Sequence, residues 1–461
     1  MSFQYIILRK EGKKMYACQQ NLISKQEILP FFEYLCTEAN NLTNCGLYLA
    51  RQLFFKTKYI VGKYDLEKLL KQNLHFQFLY SQAAQQILRS VAESFASFKA
   101  LNKLFFQGKL DKKPKLPNYR KSGGLALITY PKQALKLVNN QIRIPLGKKV
   151  KASFRLDCFY IPIPTNLTFN SIKELRILPR NGYFDVEFVY QKPDVETNLD
   201  KSNVLGIDHG LDNWLSCVSS LGKSFIIDGQ KVKSNNQWYN KQVGKLKTNK
   251  PQGFWSEELA NITEKRNRQM RDNINKTARF LINWCLKNNV GTIIFGWNKG
   301  QKNGINIGAK NNQKFVQVPT AKLKTRIAQL CAEYGIEFRE TEESYTSKSS
   351  FLDNDELPKY GEKPVQEFSG KRVKRGLYKI QNGFLINADL NGAANMIRKA
   401  NQNVNTQTSF DLSEVCREVL SLPHRYDIFK DLRKSYRKAA SKNATPLNKG
   451  GRGDSRFLTS A

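Results

Sequence analysis

The sequence predicts a multidomain α/β protein, and three observations predict it. Residues 31–106 carry apolar side chains at helical spacing. Residues 107–202 break into short runs punctuated by Pro and Asn-Gly. From residue 203 onward, buried-type strand runs alternate with long helical patterns. A chain of 461 residues is long enough for two or three such units, each with its own core.

Charge narrows the partner. Lysine and arginine number 75 against 39 acids, a formal charge of +36. An excess of that size implies a polyanion, with nucleic acid first and an anionic membrane surface second. No apolar run reaches the roughly 18 residues of a membrane span. The opening "MSFQYIILRKEGKKMY" lacks signal-peptide layout, so a cytoplasmic, nucleoid-associated protein of a prokaryote is expected. The eight cysteines never fall at C-x-x-C spacing, and the three histidines, His75, His209 and His424, are scattered. Zinc is therefore not expected. A bound metal would rest on oxygen ligands, which favours Mg2+, with Mn2+ as a substitute.

The elements follow in order. A first strand is expected at "FQYIILRK", residues 3–10. In "SQAAQQILRSVAESFASFKAL", Ala84, Leu88, Val91, Phe95 and Phe98 mark one helix face, and they read as a bundle core. The opposite face carries Gln82, Gln85, Gln86, Arg89 and Ser90, candidates for contact with nucleic acid. The basic, proline-broken "KLDKKPKLPNYRK" reads as a linker or surface loop. The run "RILPRNGYFDVEFVY" reads as a hairpin turning at Asn181-Gly182, inside a small β-barrel that the first strand of the chain joins.

At 203–229, "NVLGIDHGLDNWLSCVSSLGKSFIIDG" reads as three strands with Asp208 at the tip of the first. A basic helical region, 231–250, and a long helix, about 256–289, come next. The strand "GTIIFG", a helix near "TAKLKTRIAQLCAEYG", the strand "IEFRETEES" and a helix entered through "LINADLNGAANMIRKA" complete the set. That is the order of a ribonuclease H-like domain. In such a sheet the first strand is central, the fourth lies beside it, and the first turn of the last helix faces the same tip. Asp389 is thereby placed to meet Asp208. The competing role for Asp389 is a plain helix N-cap. Two carboxylates hold one hard divalent ion, and two-metal phosphodiester cleavage needs a third acid. Its natural place, the end of "GTIIFG", holds Gly296.

The blocks "GIDHGLDN", "GWNKGQKNGINIGAKNNQKFVQVP", "TEESYTSKSSFLD" and "NADLNGAANMIRK" resemble the TnpB family. These are RNA-guided nucleases encoded by insertion sequences and related to CRISPR type V effectors. "SQAAQQILRSVAESFASF" followed by "KPKLPNYRK" resembles the family's recognition helix and the entry to its barrel. The resemblance runs over roughly residues 1–400.

It implies catalytic, metal-binding acids at three places. Asp208 and Asp389 match the first and third. The second, usually a Glu after the fourth strand, is missing at Gly296. A branch of the family that carries the "GWNKGQK" type of block also carries "EESYTSK", with the glutamate relocated to the end of the fifth strand. Glu342 and Glu343 stand there. Strand alternation sends them to opposite faces, and Glu343 is preferred.

The resemblance also implies a β-barrel wedge domain at 1–30 and 107–202, oligonucleotide-binding-like in fold, and a helical recognition domain at 31–106. A RuvC-like nuclease domain would span 203–400, with a zinc-free lid insert at 346–380. A basic tail, 401–461, is expected to be largely disordered from about 430. Lid contacts are expected from Phe351, Leu352 and Leu377, and its run Lys371, Arg372, Lys374 and Arg375 would hold a nucleic-acid backbone. The implied activity is RNA-guided DNA cleavage beside a short motif read by the helical lobe near residues 52–90. Guide RNA, double-stranded target DNA and its displaced strand would be the partners.

Rival readings are a nuclease-inactive RNA-guided repressor, a DNA-strand transposase and an actin-like ATPase. Retention of Asp208 and Asp389 weighs against the first, the recognition blocks against the second, and the lack of phosphate-loop segments against the third.

Overall fold

The computed structural model describes residues 15–23, 27–192, 195, 197–298, 318–359, 361, 367–402 and 409–428. The strand expected at 3–10 and the tail beyond 430 lie outside these residues. The chain divides into two compact units. One takes Glu11–Asp194 and Leu246–Lys265, and the other Val195–Lys245 and Arg266 onward.

In the first unit, β1 (Met15–Ile23) precedes helices α1 (Leu29–Thr57), α2 (Lys63–Leu70), α3 (Leu74–Phe78) and α4 (Ser81–Phe106). The expected apolar face of α4 is buried at Ala84, Leu88, Val91 and Phe95, while Phe98 is part-buried edge-on against Phe54. Strands β2 (Ile128–Pro131), β3 (Lys136–Val138), β4 (Gln141–Pro145), β5 (Cys158–Pro162), β6 (Ile172–Pro179) and β7 (Phe184–Lys192) follow, with the short helix α5 (Lys148–Phe154) between β4 and β5.

The hairpin at Asn181-Gly182 joins β6 to β7. Gly182 has φ +78°, the left-handed region that glycine adopts without a Cβ clash. Among the described residues the strands form two antiparallel sheets, β1-β7-β6-β2 and β3-β4-β5, rather than one closed ring. The strand that pairs with β7 from the N-terminal side is Met15–Ile23, a segment the sequence reading passed over. Helices and strands share one apolar core, with Phe32, Leu35 and Phe95 packed among Ile128, Tyr130, Leu175 and Phe188.

The second unit is built on a six-stranded sheet. Its strands are β8 (Val204–His209), β9 (Asn213–Ser219), β10 (Lys223–Asp228), β11 (Thr292–Gly296), β12 (Glu337–Thr341) and β16 (His424–Tyr426), in the order β12-β11-β8-β9-β10-β16. The first strand, β8, is central. It pairs antiparallel with β9 and parallel with β11.

Strand alternation sorts the two faces. Leu205, Ile207, Ile293 and Phe295 face a core shared with the helices Glu257–Lys287 and Thr320–Glu333. Val204 and Ile294 face the helix Ala388–Gln402, packing on Met396 and Ile397. Gly206 lies on that second face because a Cβ there would come within 2.5 Å of Ala393 O and 2.6 Å of Ile397 Cγ1. Asp208 and Gly296 continue the same face toward the strand tips.

Two expectations for this unit need correction. The segment expected as a basic tail from 401 is folded at 409–428. Phe410, Val415, Leu420 and Ile428 are buried there, and β16 adds a parallel edge strand beside β10. Its apolar residues are too widely spaced to give a periodic signal. The insert also supplies β13 (Lys371–Lys374) and β14 (Leu377–Lys379) to an antiparallel sheet that β15 (Leu385–Asn387), just beyond it, completes. Phe351 and Leu352 do pack in the expected apolar contact, but the buried side chain of β14 is Tyr378, not Leu377.

Candidate active site

Asp208 is the penultimate residue of β8, and Asp389 lies in the first turn of the helix Ala388–Gln402. The capping role belongs to another residue. Asn387 Oδ1 accepts the N–H groups of Asp389 (3.0 Å) and Leu390 (3.1 Å), which satisfies two of the helix's open donors. Asp389 is thereby released from capping. Its Oδ2 instead accepts from Asn213 Nδ2 at 2.7 Å, and its Oδ1 lies 3.3 Å from Arg372 Nη2. Gly392, one turn on, allows Asp208 to approach the helix, because a Cβ there would stand 3.0 Å from Asp208 Oδ2.

Glu343 follows β12, and its side chain turns back over β11. A Cβ on Gly296 would meet Glu343 Cγ at 3.1 Å and Met396 Cε at 2.7 Å. The space that a side chain at 296 would need is thus taken by Glu343. Contacts from Asn298 and His209 are among those that hold it. Asn298 Oδ1 accepts the Glu343 N–H at 3.1 Å, and Asn298 Nδ2 reaches Oε2 at 3.4 Å. His209 Nε2 stands 3.1 Å from Oε1, an ion-pair distance rather than a directed hydrogen bond. The His209 ring is itself buried between Phe295 and Trp297.

Glu342 goes elsewhere. Its Oε1 lies 3.7 Å from the buried Lys399 Nζ, which donates to Ser344 O and Pro358 O. The two glutamates diverge as alternation implies, although both lie past the last residue of β12.

Electrostatics mark the cluster. Asp208 is part-buried, and its carboxyl is pushed well above the ordinary carboxylate range. Burial is the largest cause, followed by repulsion from Glu343 and then Asp389; the His209 backbone N–H and Arg372 oppose it only in part. Asp208 thus sits in the field of two further carboxylates that Arg372 offsets only in part. Among the described residues no three Asp, Glu, His or Cys side chains converge tightly enough to form a closed metal site. The donor set nevertheless fits a hard divalent cation: all its atoms are oxygens, and the charge deficit is of the sign a cation would offset.

The other candidates separate from this centre. Gln82, Gln85 and Gln86 are part-buried on α4. Arg89 is committed within its own unit, with Nε 2.5 Å from Glu67 Oε1 and its guanidinium over the Tyr64 ring. Lys371, Arg372, Lys374 and Arg375 are exposed. Arg372 meets Asp389, and Arg375 pairs with Asp212, which also binds Lys233 Nζ at 2.6 Å.

Of the small polar residues in the last helix, Asn391 and Asn395 have structural partners. Asn391 Nδ2 donates to Ser349 O and its Oδ1 accepts from Phe351 N. Asn395 Nδ2 donates to Thr346 O and Ser349 O. These bonds pin the start of the insert, beyond the apolar contacts expected for it. Sequence reasoning missed two neighbours of the acids, Asn213 and Asn298, whereas Gly392 stood out with Asn387 and Asn391 as small residues beside Asp389. "GIDHGLDN" and "GWNKG" contain the first two, but nothing in their spacing says which carboxylate each meets.

Residues 187–301 match the OrfB_IS605 family, described as a probable transposase, and residues 321–396 match the Cas12f1-like TNB domain. The first match includes Asp208 and Gly296, and the second Glu343 and Asp389. No curated protein sequence matches the chain. Among solved structures, a Cas12f1–sgRNA–target DNA complex aligns with a TM-score of 0.55 at 18% identity, over 80% of this chain and 82% of the other. The mini-RNA-guided endonuclease CRISPR-Cas_phi3 aligns at 11% identity with a TM-score of 0.44, over 84% and 92%. The first likeness is one of fold. The chain thus carries, in order, a segment similar to the insertion-sequence transposase family and one similar to the Cas12f1-like domain.

Proposed function

We propose that this protein is an RNA-guided DNA endonuclease. On this reading the six-stranded sheet is a ribonuclease H-like, RuvC-type nuclease core, and the strands of the first unit form an oligonucleotide-binding-like wedge. The observation that carries the reading is the placement of Asp208 against the helix at Gly392, of Glu343 over Gly296 and of Asp389 in the first turn of that helix, so that Glu343 and Asp389 both act on the Asp208 carboxyl. A buried charge deficit costs stability, and its retention is explained when a cation offsets it. Asp208, Glu343 and Asp389 would hold Mg2+, which supplies Lewis-acid stabilisation and an activated water.

The chain's own residues do the rest. Asn213 orients Asp389. The apolar layer of Met396 and Ile397 excludes water beneath the acids. The exposed Lys371, Arg372, Lys374 and Arg375 offer guanidinium and ammonium groups to phosphates beside the site. The net charge of +36 suits a guide RNA, double-stranded target DNA and its displaced strand. The similar Cas12f1 structure is a complex with sgRNA and target DNA. Cleavage would fall beside a short transposon-associated motif, read by protein near residues 52–90.

The test is cleavage of a plasmid library with randomised flanks, in Mg2+, by protein copurified with its native transposon-end RNA. RNA-dependent cutting that disappears with Asp208→Ala supports the proposal. One observation favours a second reading, the contact of Arg372 with Asp389 in a site with no closed ligand set. Guided binding without cutting by the unmodified protein would make it a nuclease-inactive repressor.

A further inference from the structure

Glu343 begins where the β12 ladder has ended. The last inter-strand bond there runs from Trp297 N to Thr341 O at 2.8 Å, one step past Gly296. The next residue on the β11 side, Asn298, supplies from its side chain what the ladder no longer does. Its Oδ1 takes the Glu343 N–H at 3.1 Å, and its Nδ2 reaches Glu343 Oε2 at 3.4 Å. An amide suits both tasks, since one end accepts and the other donates. An aspartate would set a carboxylate against a carboxylate, and an alanine would do neither. The partner needs such support, because a glutamate has three rotatable side-chain bonds and ordering it costs entropy. It must also lie over Gly296, in a slot bounded by Met396.

We infer that Asn298 is a positioning residue that locks Glu343 over Gly296, so that an acid supplied from β12 serves the strand-tip site of β8. This rests on the reading of Glu343 as an acid of that site. It gives a physical reason for "GWN" and "EES" to stand in one sequence: the glycine clears the slot and the asparagine holds the visitor.

A double-mutant cycle in the full-length protein separates positioning from mere closure of the strand end. Mn2+ affinity is measured by the electron paramagnetic resonance of free Mn2+, without DNA, for the parent, Asn298→Ala, Glu343→Ala and the double variant. Thermal melting runs beside each. Asn298→Ala is expected to weaken Mn2+ binding about tenfold, in the range for residues that orient a metal ligand. In the Glu343→Ala background it should have no further effect. Equal losses in both backgrounds, or none in the first, overturn the inference. Asp208→Ala keeps the two readings apart. If it abolishes Mn2+ binding while Asn298→Ala leaves it intact, only the role of Asn298 fails; if Asp208→Ala also leaves it intact, the metal-site reading fails and takes this inference with it. As a second readout, Asn298→Ala should lower kcat for guided cleavage with KM for target DNA unchanged. A change in KM alone would count against positioning.

Discussion

Two regions carry the polar side chains that drew attention in the sequence, and they resolve differently. On α4, Arg89 lies against Glu67 and Tyr64, so its charge is balanced inside its own unit. At the tips of β8 and β11, Glu343 and Asp389 both repel Asp208, and Arg372 offsets only part of that effect. Both regions look polar and functional as sequence. The difference lies in whether the fold supplies the counter-charge. A balanced residue needs no ligand to explain it, whereas an unbalanced buried cluster points to a missing partner of opposite sign.

The comparison breaks first at the acids. Asp208→Ala, Asp389→Ala and Glu343→Gln should each lower guided DNA cleavage by about a thousandfold or more, while Arg89→Ala leaves the chemical step untouched. Single-turnover cleavage measured under saturating guide and target checks this. Full activity of Glu343→Gln would remove Glu343 from the site and return the missing acid to an unsolved problem.

The next effect is on stability. Gly206→Ala places a methyl group 2.5 Å from Ala393 O and 2.6 Å from Ile397 Cγ1, and a backbone atom has little room to yield. The helix Ala388–Gln402 would have to lift from β8, at a cost of about 3 kcal/mol. Thermal melting should fall accordingly, and cleavage should fall with it because Asp389 rides on that helix. An unchanged melting temperature would mean that the helix–strand contact is looser than 2.5 Å implies.

Much of this was legible locally. The Asn181-Gly182 hairpin, the central strand with Asp208 near its end and the helix beginning near Asp389 announce themselves by turn residues and by switches between periods of two and 3.6. What escaped is tertiary. β1 exposes Tyr16, Cys18 and Leu22 and half-buries Gln19 and Asn21, the reverse of an amphipathic pattern, so only its long-range pairing with β7 makes it a strand. β16 spans three residues and exists because β10 has a free edge. Asn387, Asn391 and Asn395 look alike in sequence, yet the first caps a helix and the other two pin the insert. Strand alternation already favours Glu343 over Glu342, but the room above Gly296 that its side chain fills is a tertiary feature that no spacing reveals.

A smaller effect sharpens the electrostatic side of the comparison. Asp208 carries a raised pKa in the folded state, so the native protein holds that proton more tightly than the unfolded chain. Stability from this group therefore declines as pH rises from the ordinary carboxylate value toward the raised one. Above that window Asp208→Asn, with no charge to repel its neighbours, should melt about 2 °C or more higher than the parent despite being inactive. Below about pH 4 both forms are neutral at this position and the gap should close. Mg2+ should close it from the other side by stabilising only the parent. A variant that melts lower than the parent at neutral pH would show that Asp208 is already balanced.

The smallest expected effect belongs to Glu342. Its carboxylate stands 3.7 Å from Lys399 Nζ, on a lysine that is only 5% exposed and already bonded to two carbonyls. Removing one distant charge from that arrangement leaves the ammonium its two short bonds, so Glu342→Gln should change melting by about 1 °C or less. Cleavage should stay within about twofold of the parent, because the side chain turns toward Lys399 and away from Asp208. Adjacent glutamates would then differ in effect by roughly the full worth of a metal ligand. The reverse outcome, with Glu342→Gln inactive and Glu343→Gln active, would mean that the loop after β12 rearranges when nucleic acid binds and that Lys399 releases its carboxylate to the site.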